Sequence, residues 1–192
     1  KGISLDMVAI EINRKLNRLL PVGNFVALGL VEMSGASVQV WNGGLPDILL
    51  VDVAGNVRHR FVSRHCAGGI LPPEDFDSGL ETRPFGIEDE IVMYSDGLSE
   101  AHDPSGRLFS EKSIVNALVG VAPGERASLL RDLVLEHIAT SEPHDDISVL
   151  VIPHSSVTAQ LERGAFEPRD PTRPHCEAKH SGSQVTRIAA SR

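Results

Sequence analysis

Two short apolar runs bounded by acidic residues constrain the fold of this chain most strongly. The run 91–94 stops at Asp96 and a glycine, whereas Asp145 and Asp146 stand in front of the run 147–152. The first run predicts a buried strand that ends on a carboxylate, and the second predicts a strand that begins on two. If these strands are antiparallel neighbours, the three carboxylates meet at one edge of one sheet.

Such a group of acids is chemically suited to a divalent metal ion. Mg²⁺ and Mn²⁺ prefer carboxylate oxygens and water molecules as ligands, and strand ends fix the backbone while admitting solvent. Gly97 would let the backbone approach an ion at Asp96 closely, because glycine has no side chain. The spacing alone leaves a second interpretation open, in which Asp96-Gly97 is an ordinary turn and Asp145-Asp146 a solvated loop.

The composition narrows the possible functions. The chain has 192 residues, 41% of them hydrophobic and 4% aromatic, and a formal net charge of −8. These values predict an aliphatic core and argue against a nucleic-acid surface. Cys66 and Cys176 fit no metal or redox spacing, so we expect reduced thiols in a cytoplasmic protein. No run reaches the roughly 18 apolar residues of a membrane span, and no signal peptide is recognisable.

The first segment of the chain predicts a helix at 4–20, capped by Ser4 and ended by Pro21 and Gly23. The apolar residues that would form its inner face are Leu5, Val8, Ile12, Leu16 and Leu19. Its basic residues form either a solvated face or a surface that meets a phosphoprotein; they are Arg14, Lys15 and Arg18. Because the chain starts at Lys1 and enters this helix almost at once, we expect it to be a fragment of a longer protein.

The rest of the chain predicts antiparallel strands followed by two helices. The apolar run 24–33 predicts a central strand covered on both faces. Further strands are predicted at 37–41, 47–51, 57–62 and 80–84, and 88–90 is predicted as an acidic turn into the strand at 91–94. Ser110 begins a predicted helix of about ten residues, with Ile114 and Leu118 inward. A second helix is predicted at 127–138, then a loop at 140–144 and the last strand.

This order of elements indicates an α+β domain over residues 1–154, in which helices or a second sheet cover the sheet faces in two to four layers. From residue 155 the chain holds several prolines, many charges and no apolar periodicity. We therefore expect 155–192 to be a disordered tail or linker.

Four segments resemble one protein family. Residues 94–109 resemble its signature "TDGLTEA…NPxGExFG", and residues 144–151 resemble its closing "DDITLLVL". Residues 42–46 and the strand after them resemble "NAGHPPxLLL", and residues 17–31 resemble "LNRLL…FVTLFLGVL". These landmarks stand in the expected order, and the family that they indicate is the SpoIIE-like branch of the metal-dependent (PPM) protein phosphatases.

The resemblance implies a fold, an activity and a set of site residues. The fold is a PPM-like β-sandwich flanked by helices, and the reaction is hydrolysis of phosphoserine or phosphothreonine with two Mn²⁺ or Mg²⁺ ions. Carried over by position, Asp96 and Asp145 are catalytic metal ligands, Asp146 is a further candidate ligand, and Gly97 packs beside the site. The implied partners are a phosphorylated regulatory protein, such as an anti-sigma-factor antagonist, and an upstream receiver or sensor domain that controls the activity.

The chain departs from the family pattern at its start. In the family, the first motif is an acidic strand end followed by Gly-His-Gly, and it supplies the acid that bridges the two ions. In this chain no residue before Ser4 can serve as that bridging acid. We therefore expect the first strands and the bridging acid to lie upstream or to be lost, which would leave half a metal site with weak or no activity. The alternatives are a pseudophosphatase that acts as a protein-binding module and a purely structural domain; retention of Asp96 and Asp145 argues against the latter.

The remaining candidate residues have plain structural interpretations. His144 stands next to Asp145 and either assists the leaving group or is an ordinary loop histidine. His65, Cys66 and His102 fit no ligand spacing, so we expect them to be surface or core residues. Leu45 stands where the family has a histidine, and no role is predicted for it.

Overall fold

The computed structural model describes residues 2–139 and 145–154, together with the backbone of residues 184–188. Its helices are α1 (Leu5–Leu19), α2 (Asp96–Ser99), α3 (Glu111–Leu118) and α4 (Arg126–Ile138). Its strands are β1 (Leu28–Ser34), β2 (Ser37–Gly43), β3 (Ile48–Val51), β4 (Val57–Phe61), β5 (Glu81–Pro84), β6 (Glu90–Tyr94), β7 (Ile147–Pro153) and β8 (Gln184–Ile188). None of the helices in these ranges has both the length and the apolarity to cross a membrane.

The strands form two sheets that pack face to face. One sheet has the order β1-β2-β5 and the other β4-β3-β6-β7-β8, and the paired strands are antiparallel. The core between the sheets consists of Val38, Val40, Ile48, Leu50, Phe61, Phe85 and Ile91. Alternation along the strands turns these residues toward the opposite sheet.

Helices cover the outer faces of both sheets. α1 lies against β1 and β2. α3 and α4 lie on the larger sheet, where Ile114, Leu118, Leu130, Val134 and Ile138 pack against alternate residues of β3, β6 and β7. The result is a four-layer sandwich of helix, sheet, sheet and helices, which confirms the predicted α+β class.

The position of β1 differs from the prediction. Within the described residues β1 pairs with β2 alone, and its residues up to Met33 are only half-buried. The strand also starts later than predicted, and Phe25 is 60% exposed. The prediction of a central strand covered on both faces was therefore wrong. A continuous apolar run indicates a strand, but it does not say how many neighbours that strand will find.

The inner face of α1 also differs in detail. Its buried residues are Leu5, Ala9 and Asn13, whereas Leu19 is 77% exposed. Ser4 occupies the N-cap position but makes no side-chain cap bond. Asn13 is buried because its amide group contacts the loop after β4: it donates to the Leu71 carbonyl at 3.0 Å and accepts from the backbone of that loop. Periodicity alone could not indicate this polar anchor.

The two helices between β6 and β7 that were predicted, α3 and α4, are confirmed. The Ser110 hydroxyl accepts from the Ser113 backbone N–H at 3.4 Å at the start of α3, and α4 spans nearly the predicted range. The predicted loop at 140–144 lies outside the described residues. Within the predicted tail, the backbone of β8 pairs with β7, with Ile147 opposite Ile188, which the composition of that segment did not indicate. The boundary at residue 154 stays a prediction.

Candidate metal centre

The two acid-bearing strands are antiparallel neighbours, as predicted. Tyr94 at the end of β6 lies opposite Val149, and Ile91 lies opposite Ile152. Asp96 follows β6 after one residue, Ser95, and Asp145 and Asp146 come directly before β7. The pairing therefore brings these acids to the same edge of the larger sheet.

Ser95 joins the end of β6 to the start of β7 by hydrogen bonds. Its backbone N–H donates to the Ser148 carbonyl at 3.0 Å, and its hydroxyl donates to the Asp146 carbonyl at 3.0 Å. The same hydroxyl accepts from the Ser148 backbone N–H at 3.0 Å. The chain before Asp96 is thus held to the chain after Asp145 by three hydrogen bonds. The sequence interpretation did not single out Ser95; its place between a strand and an Asp-Gly pair was the available signal.

Gly97 allows the close approach of the two segments. A Cβ atom on this buried residue would lie 2.6 Å from the Asp146 carbonyl oxygen and 3.5 Å from that of Asp145. The predicted close packing at Gly97 is therefore confirmed, since a larger side chain would push the segments apart. Instead of a plain turn, Asp96 begins the single helical turn α2, which Leu98 anchors in the core.

The carboxylates of Asp96 and Asp145 face solvent. In each, Oδ1 accepts from the next backbone N–H, at 2.9 Å from Gly97 and 2.7 Å from Asp146. Within the described residues neither carboxylate forms an ion pair with a basic side chain. Asp146 is half-buried and is engaged in an interaction of its own. Asp96 and Asp145 therefore keep acceptor capacity that points to a ligand from outside.

The donor chemistry of this edge fits a hard divalent cation in kind. Carboxylate oxygens that are open to water on a fixed backbone suit Mg²⁺ and Mn²⁺. The number of ligands is too small, because the described residues contain no group of three or more His, Cys, Asp or Glu side chains that could hold an ion. If an ion binds at this edge, the described residues would supply only part of its coordination shell.

The other candidates have structural surroundings of their own. His65 stacks on Trp41 with ring centroids 5.0 Å apart, Cys66 is an exposed free thiol, and His102 forms an isolated β-bridge with Leu108. On α1, Arg14 and Lys15 form ion pairs with Glu11 of the same helix, at 2.7 and 3.7 Å. Arg18 is exposed. These positions agree with a solvated face. His144 lies outside the described residues.

The family model of Stage II sporulation protein E (SpoIIE) matches residues 1–155, which is most of the chain. The chain belongs to the SpoIIE family. A search of curated protein sequences gave no significant match.

Solved structures share the fold of this SpoIIE-family chain. The SiaA-PP2C domain of Pseudomonas aeruginosa matches with a TM-score of 0.61 and 16% identity, over 78% of this chain and 67% of that one. The PP2C phosphatase domain of SpoIIE from Bacillus subtilis, solved with a regulatory fragment, matches with a TM-score of 0.54 and 18% identity, over 75% of this chain and 47% of that one. The Mn-presoaked phosphatase domain of the same SpoIIE matches with a TM-score of 0.52 and 20% identity, over 80% of this chain and 66% of that one.

These likenesses establish a PP2C-type fold, which confirms the predicted fold. The family match over residues 1–155 confirms the family that the sequence motifs indicated. The chain spans 47% to 67% of the length of the three solved chains. The roles of Asp96, Asp145 and Asp146 remain predictions.

Proposed function

We propose that this chain is the catalytic part of a metal-dependent protein serine/threonine phosphatase, with Asp96 and Asp145 as ligands of Mn²⁺ or Mg²⁺. The observation that carries the proposal is the edge at which β6 ends and β7 begins. There the two carboxylates are exposed, have no counter-ion within the described residues, and are set in place by Ser95 and Gly97. A site that retains unpaired acids on a fixed backbone is suited to a cation.

Each residue of this edge would have a separate task. Asp96 and Asp145 would hold the ion through carboxylate oxygens, and Asp146 would support Asp145 from the neighbouring position. Ser95 and Gly97 would be positioning residues, because they act through the backbone that carries the acids. A bound ion would supply Lewis-acid polarisation of the phosphoryl oxygens.

The proposed substrate is a phosphoserine or phosphothreonine on a small regulatory protein such as an anti-sigma-factor antagonist. In this proposal the protein works in the cytoplasm, and a receiver or sensor domain elsewhere in the natural protein controls it. The ancestry of the chain in the SpoIIE family supports this choice of substrate class.

A second candidate function is a binding module without catalysis. The observation that favours it is the lack, within the described residues, of any group of three potential ligands around one point. Such a pseudophosphatase would keep the sandwich and bind the phosphorylated partner without hydrolysing it.

Manganese binding and hydrolysis test the two functions together. The loss of the free Mn²⁺ electron paramagnetic resonance signal measures binding, and release of phosphate from a phosphoserine peptide measures activity. Both are measured for this chain and for the full-length natural protein. We expect Mn²⁺-dependent hydrolysis by the natural protein and a loss of at least about 100-fold in both Asp96→Asn and Asp145→Asn.

Asp75→Asn is the matched control, because Asp75 is an exposed aspartate in the loop after β4 and belongs to neither strand end. It should leave both measurements unchanged. Full activity in Asp96→Asn would show that the assigned residues are wrong. Binding of the phosphopeptide by the natural protein without any hydrolysis would favour the binding module.

A further inference from the structure

A cleft of about 380 Å³ opens on the β4 side of the sandwich. It lies over the seam between the two sheets, where β4 of the larger sheet meets β2 and β5 of the smaller one. Arg64, His65, Glu81 and Arg83 line it together with apolar residues of β2 and β4. Its size is in the range of small-ligand and side-chain pockets.

The strand register places this cleft at the same end of the sandwich as the acids. Leu49 of β3 lies opposite Val92 of β6, and Ile48 lies opposite Phe61 at the end of β4. The end of β4 that leads to Arg64 therefore points the same way as the end of β6 that leads to Asp96. Two strand spacings separate β6 from β4, so these two strand ends lie roughly 10 Å apart.

The charges in the cleft are layered. Glu81 lies at the bottom, with its side chain 12% exposed, and accepts from Arg83 at 2.6 Å and contacts His59 at 2.7 Å. Arg64 lies 3.7 Å from the same carboxylate and is 62% exposed, while Arg83 is 40% exposed. Of these three charged side chains, the two guanidinium groups therefore face solvent and the carboxylate does not.

The walls of the cleft hold this arrangement in place. The imidazole of His65 stacks on Trp41, which is fully buried, with an interplanar angle of 7°. Asp77 is the other acid in the lining, and its side chain is 74% exposed. One of its oxygens accepts from Gly79 at 2.9 Å, and the other lies 3.4 Å from His65. Arg64 forms no hydrogen bond within the described residues, so its donors remain available to a partner.

We infer that the Arg64–Arg83 cleft binds an acidic side chain of the phosphoprotein substrate. The inference rests on the proposed function, because it assumes that the phosphorylated residue lies at Asp96 and Asp145. An extended peptide advances about 3.3 Å per residue, so the acidic residue would stand about three to five positions from the phosphoserine. Guanidinium groups recognise carboxylates through paired N–H donors, which suits this selection.

Fluorescence anisotropy with two labelled phosphoserine peptides tests the inference. One peptide carries Glu at the third, fourth and fifth positions on each side of the phosphoserine, and the other carries Lys at the same positions. We expect this chain to bind the Glu peptide about three- to tenfold more tightly at low salt, with the difference shrinking as salt is added. Arg64→Glu should abolish or reverse the preference, and Arg83→Gln should reduce it.

Arg131→Glu is the matched control. Arg131 is a half-buried arginine of α4, on the opposite face of the larger sheet from the cleft, and it pairs with Asp132. This variant makes the same charge change, so it should preserve the ratio between the two peptides. Equal binding of both peptides, no measurable binding of either, or a preference that survives Arg64→Glu would overturn the inference.

The peptides without phosphate separate this inference from the proposed function. The Glu preference should persist in them and in the absence of Mn²⁺, because the cleft contacts the flanking residues. A retained Glu preference without Mn²⁺-dependent hydrolysis by the natural protein would count against the phosphatase proposal alone. Hydrolysis of Glu and Lys peptides at the same rate and with equal affinity would count against the cleft alone.

Discussion

The two ends of β6 carry acids in opposite environments. Glu90 at the start is fully buried and pairs at 2.9 Å with Arg126, which is also fully buried. Asp96, just after the end, is exposed and has no counter-ion within the described residues. One strand of five residues thus connects an internal ion pair to an open carboxylate.

The buried end is stable because its polar atoms are matched. Arg126 donates to the Asp52 carbonyl at 2.6 Å and to the Val53 carbonyl at 3.1 Å, and the second oxygen of Glu90 accepts from Gly124 at 2.9 Å. A buried charge is tolerated when such bonds replace its lost hydration. Acids that serve the fold use their acceptor capacity inside the protein, whereas acids suited to a ligand keep it available.

The largest effect is expected from removal of Arg126. In Arg126→Leu the Glu90 carboxylate stays buried without its partner, so the free energy of unfolding should fall by about 3–5 kcal/mol. Urea denaturation followed by circular dichroism measures this change.

Asp96→Asn at the other end is the contrasting variant. Its free energy of unfolding should change by less than about 0.5 kcal/mol, because an exposed carboxylate without an ion pair contributes little to stability. A similar loss of stability in both variants would break the distinction between the two ends of β6.

An effect smaller than that of Arg126→Leu and larger than that of Asp96→Asn is expected at Gly97. The added methyl group in Gly97→Ala would meet the Asp146 carbonyl oxygen at 2.6 Å, so the β6 and β7 ends must separate at a cost of about 1–3 kcal/mol. The same denaturation experiment measures it. Gly2→Ala is the control, since no atom lies within 4 Å of the added methyl group. An unchanged stability in Gly97→Ala would contradict the close approach at this edge.

A pH-dependent effect is expected at Tyr94, the last residue of β6. Burial raises the pKa of its phenol to about 12, and the negative charge of Asp47 adds to the shift. Tyr94 is the single tyrosine of the chain, so the ultraviolet absorbance of phenolate reports on it alone. In metal-free buffer the phenol should lose its proton well above pH 10 in the folded protein and near pH 10 in urea.

The same shift has a consequence for stability. The folded state holds the phenolic proton more tightly, so this contribution is complete below about pH 10 and is lost as the pH rises toward 12. Tyr94→Phe should remove that part of the pH dependence. Because the hydroxyl is buried without a hydrogen-bond partner within the described residues, the variant should be as stable as the parent or more stable by up to about 1 kcal/mol. A phenol that titrates at its ordinary pKa in the folded protein would contradict its burial.

Much of the candidate site could be predicted from the sequence because it depends on local patterns. A strand that ends at Asp96 and another that begins after Asp145 need only one assumption, antiparallel pairing, to bring the acids together. The register between Tyr94 and Val149 supports that assumption. The need for a residue without a side chain at Gly97 was also visible in the sequence.

Features that depend on distant neighbours were not visible in the sequence. The segment 88–90 was predicted as an acidic turn, yet Asp89 and Glu90 are buried. Asp89 accepts from Arg58 at 2.7 Å, and Arg126 reaches Glu90 from a helix that lies 36 positions later in the chain. The edge position of β1 was missed for the same reason, because no local pattern reports how many strands will pair.

The sequence by itself determined the α+β class, the family and the two acid-bearing strand ends, since hydrophobic periodicity and turn residues act within a few positions. Only the tertiary structure decided which acids would be buried and which exposed, because that depends on whether the fold brings a matched partner within a few ångströms. Glu90 and Asp96 are both acids at the ends of one strand. Arg126 reaches one of them, and solvent reaches the other.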